Sequence, residues 1–99
     1  MKIEVLYLED CPNYLLAMNR LRAVLRREGL PADVSEIEVK DAVAAKAWNF
    51  LGSPTIRING LDIDPDYRTV TKTSLACLLY SGGLPSEEMI RAALKEARG

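Results

Sequence analysis

This 99-residue sequence contains two cysteines, Cys11 and Cys77, and their side chains could take part in several kinds of chemistry. A cysteine can attack a disulfide, bind a soft metal ion or be buried as an inert apolar group. Because the sequence has no histidine, cysteine–histidine nucleophile pairs and zinc sites that need both residue types are excluded. Two cysteines are also too few for a disulfide framework. The chemistry of the chain therefore depends on where these two residues lie.

Cys11 precedes Pro12, which is suited to the first position of a helix because it lacks an N–H group. With Cys11 as the N-cap, its sulfur would lie within reach of the N–H group of Asn13 or Tyr14. Unpaired N–H groups at a helix start favour the thiolate, which is the reactive form. The two acidic residues before Cys11 would oppose this effect if their side chains point toward the sulfur. The sequence leaves the balance between these influences open.

The spacing of apolar residues predicts one α/β domain over residues 1–99, with the element order βαβαββα. The predicted strands are residues 3–8, 33–39, 55–58 and 74–80. The predicted helices are residues 12–28, residues 42–50 and a segment that follows Ser86 as its cap. Asn59-Gly60 is a strong signal for a tight hairpin turn.

Helical spacing also predicts which helix residues face the core. In the first helix these are Leu15, Met18, Leu21 or Arg22, and Leu25. In the second helix they are Val43, Ala47 and either Phe50 or Leu51, with Trp48 also predicted in the core. In the third helix they are Ile90, Ala93, Leu94 and Ala97.

The charge balance argues against polyanionic partners. The sequence has 13 basic and 14 acidic residues and a formal net charge of −1, so we expect neither nucleic acid nor an anionic membrane as a partner. No apolar run approaches the roughly 18 residues of a membrane span. The N-terminus lacks the cleavage site of a signal peptide. We therefore expect a cytoplasmic protein; its oligomeric state is not indicated.

Three acidic residues resemble part of a calcium-binding loop. Asp62, Asp64 and Asp66 match its first acidic positions, but Tyr67 and Thr73 stand where the glycine and the bidentate glutamate belong. We therefore expect no metal at these residues.

Two motifs on matching elements resemble the thioredoxin and glutaredoxin superfamily over essentially the whole chain. Residues 10–14, which include Cys11-Pro12, resemble the C-P-x-C active site of glutaredoxins, with Tyr14 in place of the second cysteine. Residues 52–60 resemble the segment where such proteins place a cis-proline beside the active cysteine. The chain also resembles small bacterial thioredoxin-like proteins with a Cys-Pro-Asn motif. The resemblance implies a thioredoxin-like fold, with a four-stranded mixed sheet flanked by three helices.

The resemblance also implies thiol–disulfide exchange, in which Cys11 attacks and either Cys77 or glutathione resolves the mixed disulfide. The substrate would be a protein or a small thiol or disulfide, and glutathione is the one cofactor that this scheme could use. The substrate contacts that it implies come from both motifs: Pro12, Tyr14, Ser53, Pro54 and Thr55.

Two other functions stay open at this point. The chain could be a thioredoxin-like binding module that has lost catalysis and holds a peptide at Cys11 and Pro54. It could also bind copper or mercury between the thiolates of its two cysteines. Cys77 has a further alternative as a buried core thiol between Leu75 and Leu79.

Overall fold

The first strand lies in the middle of a four-stranded mixed sheet. The computed structural model describes residues 1–31, 33–75 and 84–99. Its strands are β1 (Ile3–Tyr7), β2 (Val34–Glu38), β3 (Thr55–Ile58) and β4 (Leu61–Asp62). Its helices are α1 (Asn13–Arg27), α2 (Ala42–Trp48) and α3 (Glu87–Arg98), with a short 3₁₀ turn at Pro65–Tyr67. The prediction of an α/β structure with a four-stranded mixed sheet and three helices is confirmed for these residues.

The strand order in the sheet is β2-β1-β3-β4. β1 is parallel to β2, so the two strands end at the same edge, with Tyr7 opposite Glu38. β3 is antiparallel to β1 and begins opposite Leu6 with Thr55. The end of β1 and the start of β3 therefore meet at one edge of the sheet, and that edge holds the candidate site.

The two faces of the sheet are covered by different helices. Ile3 and Val5 of β1 lie in one apolar cluster with buried residues of α1 and α3. Leu6 points to the opposite face, where it packs with Val39, Ala45 of α2 and Phe50. This alternation follows from the two-residue period of a strand. β1 is thus buried on both sides, as its apolar run predicts.

A tight turn at Asn59-Gly60 connects β3 to β4. Both residues have positive φ, 53° for Asn59 and 82° for Gly60, which is the conformation that a type I′ hairpin turn requires. Ile58 pairs with Leu61 across this turn. The hairpin predicted from these two residues is confirmed.

The prediction of a strand at residues 74–80 is not confirmed. The fourth strand of the sheet is Leu61–Asp62, in a stretch whose polar composition gave no strand signal. Ser74 and Leu75 have no regular secondary structure, and residues 76–80 of the predicted strand lie outside the described residues. A two-residue strand placed by a turn is too short to show alternation, which is why the pattern missed it.

The predicted buried faces of the first two helices are partly wrong. Leu15 is 66% exposed and Val43 is 79% exposed, and Trp48 and Ala47 are exposed as well. α1 instead buries Ala17 and Val24 together with the predicted Met18, Leu21 and Leu25. α2 buries only Ala45 among its own residues. Nearly every residue of α2 is apolar, so periodicity alone does not identify its inner face.

The caps predicted for two helices are confirmed. Asp41 accepts a hydrogen bond from the N–H of Ala44 at the start of α2. Ser86 accepts one from the N–H of Met89 at the start of α3. The buried side chains of α3 include Ile90, Ala93 and Leu94, as predicted.

Candidate functional site around Cys11

A reverse turn between β1 and α1 positions Cys11. The N–H of Cys11 donates to the carbonyl of Leu8 at 3.1 Å, so Glu9 and Asp10 form the corner of the turn. The N–H of Tyr14 in turn donates to the carbonyl of Cys11 at 3.3 Å. The backbone of Cys11 is therefore held on both sides, and its side chain is buried with 5% exposure.

The start of α1 differs by one residue from the prediction. Pro12 occupies the N-cap position, where Cys11 was predicted, and α1 begins at Asn13. Pro12 has φ −67° and ψ −20°, which are helical values, and its ring restricts φ to this range. The N–H of Tyr14, one of two predicted to face the sulfur, is bonded to the backbone carbonyl of Cys11.

The Ser53-Pro54 segment lies directly against Cys11. The Cys11 Sγ is 3.8 Å from the carbonyl oxygen of Ser53, and the Ser53-Pro54 peptide bond is cis. Ser53 Oγ accepts a hydrogen bond from the N–H of Leu8 at 3.0 Å. Thr55 Oγ1 donates to the carbonyl of Gly52 at 2.6 Å. The structure thus brings together Cys11, Ser53 and Pro54, and Ser53 joins the two loops.

The sulfur of Cys11 is disulfide-bonded. Cys77, the second predicted site residue with a thiol, lies outside the described residues. A sulfur in a disulfide has no proton to donate, so its approach to Ser53 becomes a hydrogen bond only when Cys11 is reduced.

Tyr14 packs between β1 and β2. Its ring stacks on Tyr7 with 3.8 Å between the ring centroids and 7° between the planes. Its hydroxyl donates to the carboxylate of Glu36, which also lies 3.5 Å from Arg22. Burial raises the pKa of Tyr14 most, followed by the hydrogen bond and the negative charge of Glu36. Sequence spacing gave no signal for Tyr7 and Glu36, because strand register brings them to Tyr14.

The raised pKa of Tyr14 predicts a loss of stability in alkali. An unfolded tyrosine titrates at about pH 10, whereas folded Tyr14 has a raised pKa and keeps its proton to higher pH. The stabilisation is complete below the unfolded pKa and is lost as pH rises above it. Tyr14→Phe should therefore lose less unfolding free energy than the wild type between about pH 9 and 11, measured in urea. Equal losses in the two proteins would contradict this reading of Tyr14.

The buried hydroxyl of Ser53 should contribute measurably to the stability of the protein. The Ser53 hydroxyl is fully buried and accepts a hydrogen bond from the Leu8 N–H, so Ser53→Ala leaves that N–H group without this bond. The expected loss is about 1–3 kcal/mol of unfolding free energy. Ser35→Ala, at an exposed serine of β2, is the matched control and should change stability by less than about 0.5 kcal/mol. A Ser53→Ala protein as stable as the control would show that this bond does not hold the loops together.

An acidic concavity lies at the turn before Cys11, at the edge of the sheet where β1 and β2 end. Its volume is about 310 Å³. It is lined by Leu8, Glu9, Asp10, Glu38, Val39 and Lys40. Sequence reasoning did not identify Glu38 and Lys40 as part of the site. The signal for them was the parallel pairing of the first two strands, which brings both strand ends to one edge.

Two exposed leucines extend the surface near Cys11 along α1. Leu15 is 66% exposed and Leu16 is 53% exposed. They follow the Cys11-Pro12 pair by one helical turn. The candidate site therefore combines a buried sulfur, a polar acidic concavity and an apolar helix surface.

Within residues 1–31, 33–75 and 84–99, no three histidine, cysteine or acidic side chains lie together as a metal site would require. In the same part of the chain, none of the helices has the length and apolar character needed to cross a membrane.

No family model, curated protein or solved structure matches this chain.

Proposed function

We propose that this chain is a thioredoxin-like protein that exchanges thiols and disulfides through Cys11 and Cys77. The observation on which this proposal depends is the disulfide-bonded state of Cys11, at the turn before α1 and 3.8 Å from the Ser53 carbonyl. Cys77 is the other cysteine in the sequence, so we propose it as the partner of Cys11.

The sheet supports the relation to the thioredoxin superfamily. The Cys11 turn follows the central strand, and the cis Ser53-Pro54 bond precedes the antiparallel neighbour β3. These are the placements that the resemblance implies for an active cysteine and its cis-proline. Tyr14 occupies the position of the second cysteine in a C-P-x-C motif and contacts Tyr7 and Glu36. A resolving thiol must therefore come from elsewhere, and we assign this role to Cys77.

The exchange has two steps. A substrate thiolate attacks one sulfur of the Cys11–Cys77 disulfide, which forms a mixed disulfide and releases the other protein sulfur as a thiolate. A second substrate thiolate then attacks the mixed disulfide, so the substrate leaves as a disulfide and both cysteines are reduced. The two electrons pass from substrate to protein, and the reverse sequence oxidises the protein. In the reduced state the Cys11 thiol can donate to the nearby Ser53 carbonyl.

The site geometry suggests how access is controlled. Cys11 is nearly buried, and we propose that a substrate reaches its sulfur from the side of the turn and the start of α1. In a cytoplasmic setting thiols are kept reduced, and we propose that the disulfide there is a transient state of the working cycle.

Alkylation with iodoacetamide tests the proposal. The oxidised native protein should gain no carbamidomethyl groups, and the protein treated with dithiothreitol should gain two, counted by mass spectrometry. After reduction, Cys77→Ser reports the reactivity of Cys11 alone, and Cys11→Ser serves as the matched control. We expect Cys11 to alkylate faster near pH 7 than free cysteine does, because reactive cysteines lie at helix starts. Native oxidised protein that dithiothreitol cannot reduce, or a Cys11 that reacts no faster than free cysteine, would contradict the proposal.

A further inference from the structure

The segments that meet at Cys11 are almost free of charged side chains. Residues 11–19, which contain the start of α1, include no acidic or basic residue, and neither do residues 50–56, which contain the Ser53-Pro54 bond. Among the described residues, the charged side chains nearest to this site come from the turn before Cys11 and from the neighbouring end of β2.

That local charge is negative. The concavity at the turn before Cys11 is lined by three acidic residues, Glu9, Asp10 and Glu38, and one basic residue, Lys40. None of the ion pairs found among the described residues includes these three carboxylates. Glu9 and Asp10 are exposed at the corner of the turn that the Cys11 N–H closes. Glu9 and Asp10 directly precede Cys11 in the chain, so an approaching reactant meets a net negative rim at the turn that holds the sulfur.

The charge of the reactant then affects the rate. The attacking group is a thiolate, and its remaining charges interact with the rim over roughly 10 Å, about the Debye length at moderate salt. A reactant with an ammonium or guanidinium group is attracted, whereas glutathione, with two carboxylates and one ammonium, is repelled. The leucines on α1 do not change this balance because they are uncharged.

We propose that the acidic rim formed by Glu9, Asp10 and Glu38 selects positively charged thiols and disulfides as reaction partners of the Cys11 disulfide. This inference rests on the proposed function. The shared chemistry of the partners is a cysteine-type sulfur with a neighbouring cation, as in a protein cysteine flanked by lysine or arginine. Glutathione is correspondingly a poor partner.

Reduction kinetics of the oxidised protein test the selectivity. Cysteamine, which is cationic, and 3-mercaptopropionate, which is anionic, are compared after normalising each rate to the thiolate concentration and to the rate with neutral 2-mercaptoethanol. The peptides Arg-Cys-Arg and Glu-Cys-Glu form a second pair that represents protein substrates.

The variant that removes charge from the rim is Glu9→Gln/Asp10→Asn. The control is Asp33→Asn/Glu88→Gln, which removes two exposed carboxylates at a distance from Cys11. Asp33 precedes β2 at its opposite end, and Glu88 follows Glu87, which contacts Arg27 at the far end of α1.

The expected result is a change in the cation-to-anion rate ratio. The ratio should fall about five- to tenfold from wild type to the Glu9→Gln/Asp10→Asn variant at about 10 mM salt, and less than about twofold at 0.5 M. The control variant should keep the wild-type ratio. A larger fall with the peptides than with the small thiols would identify protein cysteines as the source of the preferred partner.

The outcomes separate the two proposals. If 2-mercaptoethanol reduces the native protein but the ratio is the same in wild type and variant, the selectivity is wrong and the proposed exchange stands. If no thiol reduces the native protein, including the neutral one, the proposed function itself fails.

Discussion

Reduction of the disulfide at Cys11 should lower the free energy of unfolding by about 4 kcal/mol. The expectation rests on the proposed pairing with Cys77, which closes a loop of about 66 residues in the unfolded chain. A crosslink of that length removes many conformations from the unfolded state and so stabilises the folded one. Urea unfolding of the oxidised and reduced proteins measures the difference directly.

The effect is large for a domain of this size. Small domains unfold with about 5–15 kcal/mol, so the reduced protein would retain only part of its stability. If the oxidised protein has the larger free energy of unfolding, then folding makes the disulfide harder to reduce, and the two free-energy differences are equal. The protein would then hold its disulfide more strongly when folded than when unfolded.

The control for this prediction is the Cys11→Ser/Cys77→Ser protein, which cannot form the crosslink. It should unfold like the reduced wild type, and dithiothreitol should leave its urea midpoint unchanged. Cys11→Ser alone should behave in the same way when kept monomeric. A reduced wild type as stable as the oxidised one would show that the disulfide does not constrain a long loop.

The sequence predicted the elements around Cys11 because their signals are local. The apolar run of β1, the Cys11-Pro12 pair and the Asn59-Gly60 turn each act within a few residues, and each corresponds to an observed element within one residue. The approach of Ser53 to Cys11 is different, because it joins residues 42 positions apart. That pairing was expected from a resemblance to a known family and could not be obtained from spacing alone.

The parts that the sequence did not predict depend on register and packing. The Tyr14 hydroxyl reaches Glu36 only because the parallel pairing places β2 beside β1. The acidic concavity likewise requires Glu38 and Lys40 to arrive beside the turn from another strand end. Such contacts are long-range consequences of sheet formation, so periodicity within one segment does not contain them.

The packing of Phe50 explains why the buried face of α2 differs from the predicted one. The N–H of Phe50 donates to the carbonyl of Ala45 at 2.8 Å, and its own carbonyl accepts from the N–H of Ser74 at 3.0 Å. Its ring is fully buried with Leu6 and Ala45. The chain just after α2 therefore fills the space beneath the sheet, and a small residue of α2 packs beside it while Val43 faces outward.

Phe50→Ala should consequently be among the most destabilising single substitutions, with a loss of about 3–5 kcal/mol. Removal of the ring leaves a cavity in the apolar cluster that the described residues form on the α2 face of the sheet. For a domain of this length, such a loss corresponds to a fall of roughly 15–25 °C in Tm, measured by circular dichroism. Val43→Ala, at an exposed position of α2, is the matched control and should change Tm little. Because Phe50 lies three residues before Ser53, the variant should also loosen the contact at Cys11 and speed reduction of its disulfide. A Phe50→Ala protein with the Tm of the Val43→Ala control would mean that this face of the sheet is not a packed core.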